Sequence, residues 1–242
     1  MIHASKLAGL AALALVAVLS ASALAGEGQR FVVRGYGTRA VAYPAQSSAV
    51  GRAPIVYLHG ICGGPDRGCD AFALEATRFG PFVCPQANVS CESGASWGGA
   101  AFQKLDAIDR GMQLVAERTE GALDVGRPGI LIGFSQGGYA AVELVKARPG
   151  RFRGLFLVGA SVRLDPKQMR SVGVTRVVLA AGRYDGTYAK LSALHHELAG
   201  SAIESRFVDL GPVGHTYVPS AEHESAVHEA WSWLDEAEEV MD

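Results

Sequence analysis

The sequence predicts an α/β fold: a single domain on a mostly parallel sheet with helices on both faces. Three observations predict it. Short apolar runs alternate with helix-like stretches from residue 54 onward. Several of these runs, among them Pro54 to Leu58 and Phe152 to Val158, are apolar without alternation, as in strands covered on both sides. A third run, Gly129 to Ile132, leads through Gly133-Phe134-Ser135-Gln136-Gly137-Gly138 directly into the helix-like Tyr139 to Val145.

With 242 residues there is room for one sizeable domain of this kind and not for a second. The formal net charge of −2, with no basic stripe, argues against nucleic acid as a partner. Residues 7–25 carry no charge, follow Lys6 and close on Ala23-Leu24-Ala25 before Gly26. This reads as a signal peptide over 1–25, leaving a domain of 26–242 that is secreted or periplasmic. An uncleaved anchor is the rival reading. The small residues at the end of the run favour cleavage, after which no stable membrane span is expected. No cysteine follows the run, so a lipid-anchored lipoprotein is not supported.

Four cysteines, Cys62, Cys69, Cys84 and Cys91, fall in the exported part, where disulfides are expected. Three pairings are open. The local one, Cys62–Cys69 with Cys84–Cys91, would close two short rings, each constraining the unfolded chain by about 2.5 kcal/mol. Zinc spacing is absent, and no metal or cofactor is expected.

Arg30 to Arg34 and Arg39 to Tyr43, split by Gly35-Tyr36-Gly37, predict an N-terminal hairpin. Pro54 to Leu58 is the first buried strand and runs into His59-Gly60-Ile61. A helix is expected over 70–79, a strand over 81–85, a loop over 86–99 and an amphipathic helix over 100–117. Further strands are expected at 129–133, 152–158, 175–181 and 205–210, with helices at 188–198 and 221–241. In the last, Val227, Trp231 and Leu234 recur at helical spacing and read as core. The connection from Ser161 to Val174 is short, so no large lid is expected over the site.

The glycine pattern around Ser135 has a chemical reading. A serine at the tip of a turn too sharp for neighbouring side chains is exposed at a helix N-terminus, where free N–H groups favour an oxyanion. The serine needs a histidine to take its proton, and the histidine needs a carboxylate to orient it. Asp185 follows the strand 175–181 in Ala181-Gly182-Arg183-Tyr184-Asp185-Gly186 and is the expected acid. Asp165, in Leu164-Asp165-Pro166, also reads as a helix start, and Asp209 lies inside the last strand. His215, in Gly211-Pro212-Val213-Gly214-His215, stands between the last strand and the last helix and is the expected base. His195 and His196 fall within a helix, and His223 and His228 in or near the closing one. The oxyanion donors are expected to be the backbone N–H groups of Ile61 and Gln136. His59 reads as a side chain shaping the loop beneath them.

The segments HGICG, GFSQGG, AGRYDG and GPVGHTY, in this order, resemble the α/β-hydrolase superfamily over nearly all of residues 30–240. With Ser96-Trp97 upstream, GFSQGG is most similar to its carboxylesterase, lysophospholipase and acyl-thioesterase branch. The resemblance implies a cofactor-free serine hydrolase acting on a small-molecule ester through Ser135, Asp185 and His215. A peptidase or amidase would use the same groups. A non-catalytic binding protein on this scaffold would be expected to lack one of the three, and all are present.

Overall fold

The computed structural model describes residues 29–236. The expected signal peptide, and the last residues of the expected closing helix, lie outside the described residues. An antiparallel hairpin opens the domain, β1 (Phe31–Gly35) and β2 (Thr38–Tyr43). Then follow β3 (Ile55–Leu58), α1 (Pro65–Ala76), β4 (Phe82–Pro85), and the two-residue strands β5 (Val89–Ser90) and β6 (Ala95–Ser96). The chain continues through α2 (Ala101–Arg118), β7 (Gly129–Phe134), α3 (Gln136–Ala147), β8 (Phe152–Val158) and the short α4 (Pro166–Ser171). It closes with β9 (Arg176–Ala181), α5 (Tyr188–Glu197), β10 (Glu204–Asp209) and α6 (Glu224–Asp235).

Eight strands form one sheet in the order β1-β2-β4-β3-β7-β8-β9-β10. Only the β1–β2 and β2–β4 pairs are antiparallel. The central strands β3, β4 and β8 are buried along their whole length, which is why their sequences do not alternate. Two apolar cores lie on opposite faces of the sheet. Leu105 and Ile108 of α2, Ala141 and Val145 of α3 and Leu191 of α5 belong to one. Phe72 of α1 and Trp231 and Leu234 of α6 belong to the other. Trp231 is fully buried against Phe72, Phe79 and Phe156, so the stripe on the closing helix is core. The 161–174 connection holds nothing larger than α4, whose first N–H groups are capped by the Asp165 side chain. Among the described residues no large lid covers the sheet's C-terminal edge.

Two expectations are corrected. Helix α1 starts at Pro65 and not at residue 70, because Pro65 occupies the first helical turn, where its missing N–H costs nothing. The cysteines do not pair locally: the bonds are Cys62–Cys91 and Cys69–Cys84. The early helix start explains this. It carries Cys69 one turn into α1, facing the sheet, where it meets the equally buried Cys84 of β4. Cys62 stays in the loop before the helix, beside the β5–β6 ribbon that carries Cys91.

Candidate active site

Ser135 sits between β7 and α3 with φ 53° and ψ −118°, a backbone conformation that a non-glycine residue adopts only at a cost of roughly 1–3 kcal/mol. The two flanking glycines permit the turn. A Cβ on Gly133 would lie 2.5 Å from the Gly137 carbonyl oxygen, and one on Gly137 would lie 2.1 Å from that of Leu58. The Ser135 N–H donates to the Val158 carbonyl at 2.9 Å, which holds the turn against the end of β8.

The loops after β9 and β10 are joined through their backbones. Arg183 N–H donates to the Gly211 carbonyl at 2.8 Å, and Tyr184 N–H to that of Val213 at 3.0 Å. This brings His215 Nδ1 to 2.7 Å from Asp185 Oδ2. The other Asp185 oxygen accepts the Thr187 N–H at 2.8 Å. Burial pushes the Asp185 carboxyl up, but the hydrogen bonds from Thr187 and His215 outweigh it and hold the group below the usual carboxylate range. Asp185 is almost fully buried, whereas His215 is exposed. The His215 ring packs on Phe134, the residue before the serine, with centroids 5.0 Å apart, and Tyr217 meets Phe134 edge-on at 4.9 Å. The serine turn and the hydrogen-bonded Asp185–His215 pair therefore share one wall.

On the other side lies the loop after β3. A Cβ on Gly60 would be 3.4 Å from Ser135 Cβ, so this loop passes within van der Waals contact of the serine. Ile61 N–H has no hydrogen-bond partner among the described residues, whereas its neighbour Cys62 N–H donates to Ser96 Oγ at 3.1 Å. Gln136 is the first residue of α3, so its N–H is one of the helix's unpaired first-turn donors. His59 is buried and serves the loop. Its Nδ1–H donates to the Gly60 carbonyl at 2.9 Å, and its Nε2 accepts the Ala87 N–H at 3.1 Å. Burial pushes this imidazole down, partly offset by the Gly60 bond, and the two contacts require the neutral ring.

The sequence reasoning missed what holds this loop. Trp97 N–H donates to the Gln136 side-chain oxygen at 2.9 Å, and its indole N–H to the His59 carbonyl at 3.0 Å. Its ring packs on His59. With Ser96 on Cys62 and the Cys62–Cys91 bond, residues 91–97 form a strap across the loop. Ser96-Trp97 was the only signal for it, and nothing local in that dipeptide says which backbone it will meet.

The rival candidates lie elsewhere. Asp209 pairs with Arg183 and accepts the Gly211 N–H, and Asp165 caps α4. His195 contacts Ser205 Oγ, His223 contacts Ser220 Oγ, and His228 contacts Glu75. Among the described residues no group of three or more His, Cys, Asp or Glu could hold a metal ion, and no helix is long and apolar enough to cross a membrane.

No protein-family model matches the chain, and no curated protein does. Solved structures do. A carboxylesterase from Bacillus cereus superposes with a TM-score of 0.59 at 15% identity, over 84% of this chain and 96% of that one. The fluorophosphonate-binding serine hydrolase F of Staphylococcus aureus gives 0.60 at 13%, over 87% and 99%. An S-formylglutathione hydrolase from Agrobacterium tumefaciens gives 0.60 at 15%, over 86% and 94%. The chain has the α/β-hydrolase fold.

Proposed function

We propose that the chain is a serine hydrolase that cleaves carboxylic esters through Ser135, His215 and Asp185. The observation that carries this reading is the 2.7 Å hydrogen bond between Asp185 and His215, joined through Phe134 to the strained serine turn. With Nδ1–H donated to Asp185, the lone pair of His215 is on Nε2, where it can accept a proton. Ser135 Oγ attacks the ester carbonyl carbon as its proton passes to His215. The oxyanion is held by the N–H groups of Ile61 and Gln136. Collapse expels the alcohol, which takes the proton back from His215, and water then cleaves the acyl-enzyme by the same route. The absence of a large lid suits small or projecting esters. Two disulfides suit an oxidising compartment, in keeping with the reading of residues 1–25 as an export signal.

A fluorophosphonate probe is expected to label Ser135, and Ser135→Ala to lower turnover of p-nitrophenyl esters by roughly 10³ or more. Labelling at a different serine, with activity retained in the alanine variant, would end this reading. A protein that turns over no ester and takes up no probe would be the non-catalytic scaffold instead.

A further inference from the structure

Beside the proposed catalytic groups runs a groove of about 560 Å³. One wall is the segment after β8, with Ser161, Val162, Arg163 and Leu164, and the other is α5, with Lys190 and Glu197. Both walls continue directly from the acid–base pair. Two residues before Ser161, Gly159 lies so close to it that an added Cβ would be 2.9 Å from His215 Cε1 and 3.1 Å from Asp185 Oδ2. Helix α5 opens with the Tyr188 N–H donating to the Asp185 carbonyl at 3.0 Å. Ser161 N–H also donates to Tyr139 Oη at 3.1 Å, which ties the groove to the helix behind Ser135.

The charges in the groove are sorted by position. Lys190 stands in the first turn of α5, at the catalytic edge of the sheet. Glu197 lies seven residues further on, about 10 Å away along the helix axis. Arg163 belongs to the opposite wall, on the segment after β8. Neither cation has an ion-pair partner among the described residues, whereas Arg183, on the neighbouring loop, is committed to Asp209 at 2.7 Å. Two uncommitted cations thus line the groove, with Lys190 at the end where α5 begins and Glu197, the one carboxylate of the lining, further along the helix.

We infer that this groove binds a carboxylate carried by the substrate, so that the preferred ester is an acidic one: a half-ester of a dicarboxylic acid, or an ester of an acidic alcohol or phenol. The inference rests on the ester-hydrolase reading. Arg163 and Lys190 then set specificity, and the balance of charge along the groove orients the substrate with its acid toward α5's first turn.

The test uses two matched pairs, 4-nitrophenyl butyrate against mono-4-nitrophenyl succinate, and phenyl acetate against 4-acetoxybenzoate. The first places the acid on the acyl side and the second on the leaving group. In each protein the readout is the ratio of kcat/KM for the acidic over the neutral member. In at least one pair this ratio is expected to fall roughly threefold to tenfold in the Arg163→Gln, Lys190→Gln double variant, as two exposed cations allow. It should fall further in Arg163→Glu, Lys190→Glu. In the wild-type protein the preference should shrink as salt rises. Ratios unchanged by both double variants in both pairs would overturn the groove assignment while leaving the hydrolase reading intact. No turnover of any of the four esters by the wild-type protein would overturn both.

Discussion

Gly159 is the position where one added methyl group would act most directly on the proposed chemistry. Its φ is +60°, and a Cβ would press on both His215 and Asp185. Gly159→Ala is expected to lower kcat by about 10², the scale of a displacement of one ångström in a reacting group. The fold should survive, because the strain of a left-handed alanine is about 1 kcal/mol. Gly186→Ala is the matched control. It lies next to the same aspartate, but nothing stands within 4 Å of its added Cβ, so kcat should stay within about twofold. Equal losses in the two variants would show that the acid–base pair is not the sensitive element. Ser135, Asp185 and His215 sit in motifs the sequence made legible for a physical reason. A serine at a glycine turn, an aspartate after a strand and a histidine before the last helix are each defined by a few consecutive residues. Gly159 was not legible, because its significance comes from side chains 26 and 56 residues away.

At the scale of elements, the strap from Cys91 to Trp97 accounts for the most unexpected geometry. It fixes the backbone around Ile61 through Ser96, Trp97 and a disulfide, and it reaches Gln136 on the other side of the serine. The two disulfides are therefore expected to behave differently. Cys62→Ser with Cys91→Ser should lower both thermal stability and turnover, the latter by up to roughly 10² if an oxyanion donor is misplaced. The Cys69–Cys84 bond joins α1 to β4, and its loss in Cys69→Ser with Cys84→Ser should act on stability alone. Loop closure puts each contribution at about 3 kcal/mol or slightly more. Thermal melts and kcat on one neutral ester separate the two cases, and equal effects on turnover would count against the strap. This pairing was not legible in the sequence, since all four cysteines lie within 30 residues and any of the three connectivities closes a feasible ring. It did locate the strands well. Residues 152–158 form β8 as expected, and 175–181 differs from β9 by one residue, because a run buried on both faces needs no knowledge of its partners.

At the scale of the whole molecule, the pH range of stability follows from groups on different elements. His59 is held neutral by burial, with its folded pKa below the unfolded value of about 6.5. As pH falls through that value the unfolded chain takes up a proton the folded one refuses, so stability starts to decline near pH 6.5. Three carboxylates act lower down. Asp66 is lowered by hydrogen bonds from Arg39, against the effect of burial. Burial raises Asp185 and Asp209, but bonds from Thr187 and His215, and from Gly211 and Arg183, bring each below the usual range. Their folded values lie below the unfolded ones. The stability they contribute is therefore complete above about pH 4 and is lost as pH falls through the folded values. Urea unfolding from pH 8 to 3 should show a shallow decline beginning near pH 6.5 and a steeper one below about pH 4. A curve flat down to pH 4 would mean that His59 protonates within the folded protein.

The connectivity of the cysteines also bears on how the chain reaches this state. The Cys69–Cys84 ring is nested inside the Cys62–Cys91 ring, so neither of the two shortest closures, Cys62–Cys69 and Cys84–Cys91, is native. In an unfolded chain the short Cys62–Cys69 loop closes roughly sevenfold more readily than the 62–91 loop, by the three-halves power of their lengths. The first bonds formed from the reduced chain are thus mostly the wrong ones. Reaching the native pair from them requires a thiolate to attack an existing disulfide and pass the bond on. A refolding buffer that only oxidises would hold the chain in mispaired forms, and one containing both reduced and oxidised glutathione would release it.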